Sequence, residues 1–314
     1  MPETQFQCRL CDCRNSDGFL KRDAKSHENL AISLCQGCGL VQQTVLPSDE
    51  DLKIYYSHNY RRDYKKTYHP KPKYVSRAGT TAVHRLRFLA KYLGESDGRR
   101  LVDIGAGGGE FVYLARRAGY DASGIEPNEG YSEFAVREYG VNIETAGIED
   151  LAESSADLIT LFHVFEHLAH PLDAMERIAG ALKSGGHLLV EVPNLLQKDA
   201  SPHNIFFKAH LFYYSRFTLI AAASRWFEPV HVDDTGNLMI LFRKRETALS
   251  DIIAPSKEEV GETISSFARK GWVQYLFQGG GLFKPVSKLS RSIREAVIRD
   301  TAPRDILDAR WNKG

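Results

Sequence analysis

Three groups of side chains stand at spacings that can do chemistry. Cys8-x-x-Cys11 and Cys35-x-x-Cys38 form two thiolate pairs with 23 residues between them. Two such knuckles suit tetrahedral zinc, and a closed set of four thiolates is structural because no position remains for water. A redox Cys-x-x-Cys pair is the alternative, and Cys13 is a bystander or a substitute for Cys11. Further on, Phe162-His163-Val164-Phe165-Glu166-His167 and the later Lys208-Ala209-His210 supply imidazoles and a carboxylate. A histidine titrating near neutrality can take a proton from an acceptor while a carboxylate orients it, so His167 and His210 are candidate bases and Glu166 the orienting group. Finally, Gly105-Ala106-Gly107-Gly108-Gly109 offers backbone amides that a ligand can approach without side-chain interference.

These groups need positioning elements, and the hydrophobic pattern supplies them. Short apolar runs at Leu101–Ile104, Ala122–Ile125, Leu158–Phe162 and His187–Val192 alternate with helical patterns near 110–118, 129–139 and 172–183. That alternation predicts right-handed crossovers and a parallel sheet covered on both faces. After 228 the pattern becomes a hairpin, Glu228–Val232 and Leu238–Phe242, around the turn-like Asp233-Asp234-Thr235-Gly236-Asn237. Upstream, Val83, Leu86, Leu89, Ala90 and Leu93 recur at helical spacing before Gly94, a natural C-cap.

The glycine loop ends a strand and opens a helix. A dinucleotide fingerprint counted from Gly105 wants glycine at 110, where Glu110 stands; that acid repels a pyrophosphate but not a ligand with a cationic centre. About twenty residues on, Glu126 ends the next strand, where a carboxylate takes the two hydroxyls of a ribose. On these residues the sequence resembles the class I S-adenosylmethionine-dependent methyltransferases, whose first motif has the form of Val102-Asp103-Ile104-Gly105-Ala106-Gly107-Gly108-Gly109. The resemblance covers 80–245. It implies an α/β fold, a doubly wound seven-stranded Rossmann-like sheet with its last strand antiparallel. It implies further that Asp103, Gly105, Gly107 and Gly109 line the methionine end of the cofactor, that Glu126 holds the ribose and that Ile148 packs on adenine, with His163 also on the cofactor side.

Together with the N-terminal cysteines, the stretch Phe206–Ser215 resembles bacterial methyltransferases that carry a zinc-binding domain, among them C-methyltransferases of nucleotide-linked deoxysugars. Those enzymes show Glu-His where this chain has Ala209-His210, so one carboxylate is missing and O-methylation of a sugar or glycan hydroxyl competes with C-methylation. The Asn/Asp-Pro-Pro-aromatic run of enzymes acting on exocyclic amines is absent after the fourth strand of this domain, Leu158–Phe162.

Composition bounds the rest. The chain has 314 residues, 26% charged and 43% hydrophobic, which excludes a disordered, collagen-like or disulfide-scaffold protein. No run approaches a membrane span, and the first residues lack the pattern of a secretory signal, so a cytoplasmic location is expected. The net charge of +1 conceals an asymmetry: residues 53–91 hold eleven Lys or Arg against the single acid Asp63, a net of 11 − 1 = +10, so the remainder carries −9. Tyr55, Tyr56, Tyr60, Tyr64, Tyr68 and Tyr74 lie in this segment. Aromatics among cations can stack a base and neutralise phosphates. An anionic nucleotide-sugar or glycan, a nucleic acid, or only solvent are the readings of it. The expected division is a zinc-binding ribbon (1–52), a basic connector with little regular structure before about residue 80 (53–80), the methyltransferase domain (81–247) and a C-terminal helical extension (248–314). An RNA methyltransferase and a non-catalytic binding protein that keeps the fold are the rival functions.

Overall fold

The computed structural model describes residues 6–54, 70–284, 295 and 298–312. In chain order the elements are β1 (Ser16–Arg22), β2 (Asn29–Cys35), β3 (Val41–Gln43) and α1 (Asp49–Ile54), then α2 (Pro72–Leu93), β4 (Arg100–Ile104), α3 (Glu110–Arg117), β5 (Asp121–Ile125), α4 (Glu129–Tyr139) and β6 (Asn142–Glu144). They continue as β7 (Ala156–Phe162), α5 (Pro171–Ala181), β8 (Leu182–Val192), β9 (Phe212–Tyr213), α6 (Arg216–Ala223), β10 (Phe227–Asp233) and β11 (Leu238–Lys244), and close with α7 (Lys257–Ala268) and α8 (Pro303–Trp311).

Seven strands form one sheet in the order β10-β11-β8-β7-β4-β5-β6. β4, β5 and β6 pair in parallel, whereas β11 runs antiparallel to both β8 and β10. The expected α/β sheet with an antiparallel last strand is therefore present. Pro229 is tolerated in β10 because that strand is an edge, and the register shifts beside it between Pro229 and His231.

The chain forms two compact units that are not consecutive stretches: one holds residues 1–51, 161–180 and 187–283, the other 52–160, 181–186 and 284–314. In the first, β1, β2 and β3 make an antiparallel sheet that β9 completes. Its inner face, with Leu30, Ile32, Leu34 and Val41, packs with Leu195, Phe206, Tyr213 and Phe267 in one apolar cluster. The ribbon is thus finished by a strand 170 positions away from β3 (Gln42 pairs with Phe212), which local pattern cannot reveal. α7, the first half of the expected helical extension, contributes Phe267 to this cluster.

In the second unit, α2 begins at Pro72, earlier than the helical spacing from residue 82 suggested. Proline at the first helical position loses only an amide that has no partner there, so it starts the helix rather than interrupting it. The connector is correspondingly shorter than expected. Gly94 does cap the helix, its amide donating to Ala90 O at 3.0 Å with φ at 76°. Gly79 lets α8 come close: a Cβ there would lie 2.7 Å from Leu307 Cδ2. The Tyr113 hydroxyl donates to Asp308 Oδ1 at 2.7 Å and Arg117 pairs with the same oxygen, so the tail helix is held by α3 as well as α2.

Candidate functional site

The glycine loop is shaped by backbone conformations that side chains resist. Gly105, Gly107 and Gly109 all have positive φ, at 69°, 57° and 82°. At Gly109 a Cβ would also sit 2.7 Å from Ala135 Cβ, so both conformation and space require glycine. Glu126, buried at the end of β5, reaches back to this loop. Its Oε2 accepts from the Gly107 amide at 2.8 Å and its Oε1 from the Asn128 amide at 3.2 Å. Asn128 in turn caps α4 by accepting from Tyr131. Asp103 does not face solvent at the loop. It is buried and accepts from the Thr160 hydroxyl at 2.6 Å. Burial pushes its carboxyl up to about 7, with the Thr160 hydrogen bond and the Arg85 charge opposing. Ile148 lies half-buried in the short turn Ile148–Asp150. All of these belong to the second unit.

The imidazoles and Glu166 gather in the first unit. Glu166 is 1% exposed, and neither of its carboxylate oxygens has a hydrogen-bond partner among the described residues. Three histidines ring its Oε1: His163 Nδ1 at 3.5 Å, His167 Nε2 at 3.9 Å and His210 Nε2 at 4.0 Å. Burial pushes the carboxyl up, but the histidines outweigh it and hold Glu166 at about 2. His167 Nδ1 lies 2.7 Å from Ala209 O, which can only accept, so Nδ1 carries a proton and in the neutral ring the lone pair is on Nε2. Burial and the adjacent His167 push His210 down to about 3, so that ring is neutral at pH 7.

His163 stands in a left-handed conformation, φ 58°, that few non-glycine residues adopt, and its amide donates to Glu191 O at 2.8 Å. Its Nε2 lies 3.3 Å from Glu191 Oε1 and 3.1 Å from Asn237 Nδ2, which also donates to that Glu191 oxygen at 2.8 Å. Burial opposes charge on this ring, yet Glu166 and Glu191 outweigh it and raise His163 to about 9. The structure therefore groups His163 with Glu166, Glu191 and Asn237. Sequence reasoning missed Glu191 and Asn237 as site residues. The β8–β11 register, Met239 opposite Glu191, is what brings them together, and a single sequence carries only the strand-end acid and the turn asparagine as hints.

At the N-terminus the sulfurs of Cys8, Cys11, Cys35 and Cys38 lie within 4.8 Å of one another, with Cys8–Cys38 and Cys11–Cys35 at 3.6 Å. Four thiolates about 2.3 Å from a zinc ion stand roughly 3.8 Å apart, so the cluster fits a zinc ribbon. Cys13 is outside it, its thiol 3.7 Å from Asn15 O. Of the basic segment, residues 55–69, with Tyr55, Tyr56, Tyr60, Tyr64 and Tyr68, lie outside the described residues. Within α2, Arg77 is engaged in a bidentate pair with Glu295 at 2.6 and 2.7 Å. No helix among the described residues is long and apolar enough to cross a membrane.

A seven-stranded sheet with an antiparallel β11 and a glycine loop pinned by a strand-end acid defines the Rossmann-like methyltransferase fold. Residues 74–226 match the family model described as a methyltransferase domain, just under half of the 314-residue chain. The match likens residues 74–226 of this chain to methyltransferase domains. It is 30% identical over 118 residues to the ubiquinone biosynthesis O-methyltransferase of Alkalilimnicola ehrlichii, covering 35% of this chain and 48% of that one. The protein of the same name from Bordetella avium is 30% identical over 118 residues, covering 35% and 49%. The chain spans about half the length of these curated relatives. Among solved structures it is similar to the magnesium protoporphyrin IX methyltransferase of Synechocystis PCC 6803, with TM-score 0.46 and 14% identity, over 65% of this chain and 100% of that one. It is also similar to an S-adenosylmethionine-dependent methyltransferase of Mesorhizobium loti, with TM-score 0.45 and 18% identity, over 51% and 97%.

Proposed function

We propose that the chain methylates a hydroxyl oxygen of a carbohydrate or nucleotide-linked sugar, with S-adenosylmethionine as donor. The observation that carries this reading is the buried Glu166 carboxylate, without a hydrogen bond among the described residues and ringed by His163, His167 and His210. A desolvated anion among imidazoles is costly unless it has work to do. The donor, when bound, supplies a methyl group on a positively charged sulfur that leaves as a neutral thioether. Gly105, Gly107 and Gly109 would hold its amino-acid end and Glu126 its ribose, which suits a side-chain-free loop and a buried acid in contact with it. The acceptor hydroxyl gives its proton to His167 Nε2, where the tautomer leaves the lone pair, and its oxygen forms the new bond to carbon. Glu166 stabilises the imidazolium that results.

Oxygen rather than carbon is favoured because no side-chain carboxylate precedes His210. The O-methyltransferase names of the relatives point the same way. The +10 segment favours an anionic acceptor, and Cys8, Cys11, Cys35 and Cys38 would hold one structural zinc ion. The deciding experiment is a screen of nucleotide sugars, glycans, quinols and RNA with labelled donor, read by mass. Methyl-ether formation on a sugar supports the proposal; label only on RNA or a quinol replaces its substrate class, and no transfer to any of them removes it.

A further inference from the structure

The ring of ligand atoms around Glu166 has a second use. Glu166 Oε1, His167 Nε2 and His210 Nε2 all lie within 4.8 Å of one another, with the carboxylate 3.9 Å from one nitrogen and 4.0 Å from the other. Ligand atoms about 2.1 Å from a tetrahedral ion are roughly 3.4 Å apart, so the three need to close by about half an ångström. Two further observations favour a cation. Both Glu166 oxygens are buried with no hydrogen bond among the described residues, and the imidazoles stand 3.5 Å or more away, so lone pairs remain for a cation where a buried anion gains most from one. His167 has its proton fixed on Nδ1 by Ala209 O, the outer hydrogen bond that metal-bound imidazoles ordinarily make, and Nε2 is the atom turned to Glu166. His163, 3.5 Å from the same oxygen and bound on its other side by Glu191 and Asn237, would be an outer partner of the carboxylate.

We propose that Glu166, His167 and His210 form a divalent transition-metal site, separate from the cysteine cluster, that holds and ionises the acceptor hydroxyl. One carboxylate and two imidazoles are a nitrogen and oxygen donor set suited to manganese, iron, cobalt or zinc, and three protein ligands leave positions open for the acceptor. This deepens the proposed function and rests on its acceptor site. The difference lies in the proton: with the ion in place the hydroxyl proton passes to water, the oxygen stays bound to the metal as an alkoxide, and His167 is a ligand instead of the base. The methyl carbon then bonds to that oxygen as its bond to sulfur breaks, with the electron pair remaining on sulfur.

The test is titration of the full-length protein, its cysteines already loaded with zinc, with Co2+, followed by calorimetry and visible absorption, with S-adenosylmethionine affinity measured on the same samples. The expected result is one equivalent of Co2+ with d–d absorption and no thiolate charge-transfer band, weakened about tenfold or more in Glu166→Gln and in His210→Ala. Absence of Co2+ binding, binding that shows the thiolate band, or undiminished binding in both variants overturns the site. Should Glu166→Gln fail to fold, His210→Asn and the wild type decide the matter between them. Intact S-adenosylmethionine affinity alongside absent Co2+ binding removes the metal site alone; loss of both removes the methyltransferase reading.

Discussion

The Gly107 amide donates to Glu126 Oε2 at 2.8 Å across 19 residues of chain, so the loop that would receive the cofactor and the acid that would receive its ribose are one connected piece. Two backbone amides on one buried carboxylate keep it aimed at the loop.

Glu126→Ala should therefore weaken S-adenosylmethionine binding by about ten- to a hundredfold, the worth of a charge-assisted hydrogen-bond pair. Calorimetry reads this directly. Wild-type affinity in a folded variant would refute the assignment.

His167→Ala and His210→Ala should each lower kcat by roughly a hundredfold or more while the donor affinity stays within a few-fold, because both residues belong to the cluster around Glu166 and not to the glycine loop. Steady-state kinetics beside donor titration separates the two quantities. Two fully active variants would place the acceptor elsewhere.

Asp103 makes stability depend on pH in a stated direction. Its carboxyl titrates at about 7 when folded against an ordinary 3.8, so the native state binds the extra proton between those values. The stability it confers is present below about pH 4 and is lost as pH rises to 7, beyond which the buried anion is a constant burden. Asp103→Asn keeps an acceptor for Thr160 and removes the titration. Its melting temperature should gain on the wild type across that window and hold the lead above it, and a pH-independent difference would be inconsistent with the assignment.

Protein passed through a chelating buffer to strip weaker sites should retain close to one zinc per chain, and Cys35→Ser should lose it together with the β1-β2-β3 sheet. Elemental analysis with far-ultraviolet dichroism checks this. A zinc content near zero with all thiols intact would count against the ribbon as a metal site.

Phe267→Ala should destabilise the first unit by about 3 kcal/mol, since the ring packs edge-on to Phe19 and Phe206 within the cluster under β2. Denaturant midpoints followed at the aromatic residues measure it. A change below about 1 kcal/mol would mean that α7 is not part of this core.

Much of the central sheet was legible because its physics is local. β4, β5, β7 and β8 hold short apolar runs beside helical patterns, and Gly94 and Asn128 act within a few residues of themselves, whereas β6, with one apolar residue between Asn142 and Glu144, carries no such signal. The chemistry-bearing residues were legible by type: Glu166 and His167 were named from their spacing and His210 from the family resemblance, and the three converge. What escaped were three features that need two distant segments at once. β9 completes the ribbon sheet from position 212, Asn237 meets Glu191 only through strand register, and Leu307 uses the gap at Gly79. The early start of α2 escaped for another reason, since Pro72 reads as an interruption until it is recognised as a first helical residue.

The packing of α8 into the surface of α2 at Gly79 bears on how the protein is made. The unit that holds the glycine loop draws on residues 52–160 and again on 284–314, so a nascent chain that has emerged only as far as β11 holds Gly105, Gly107, Gly109 and Glu126 yet lacks the helix that covers Gly79. Until residues 303–311 have emerged, the apolar flank of α2 beside Gly79 stays open to chaperones.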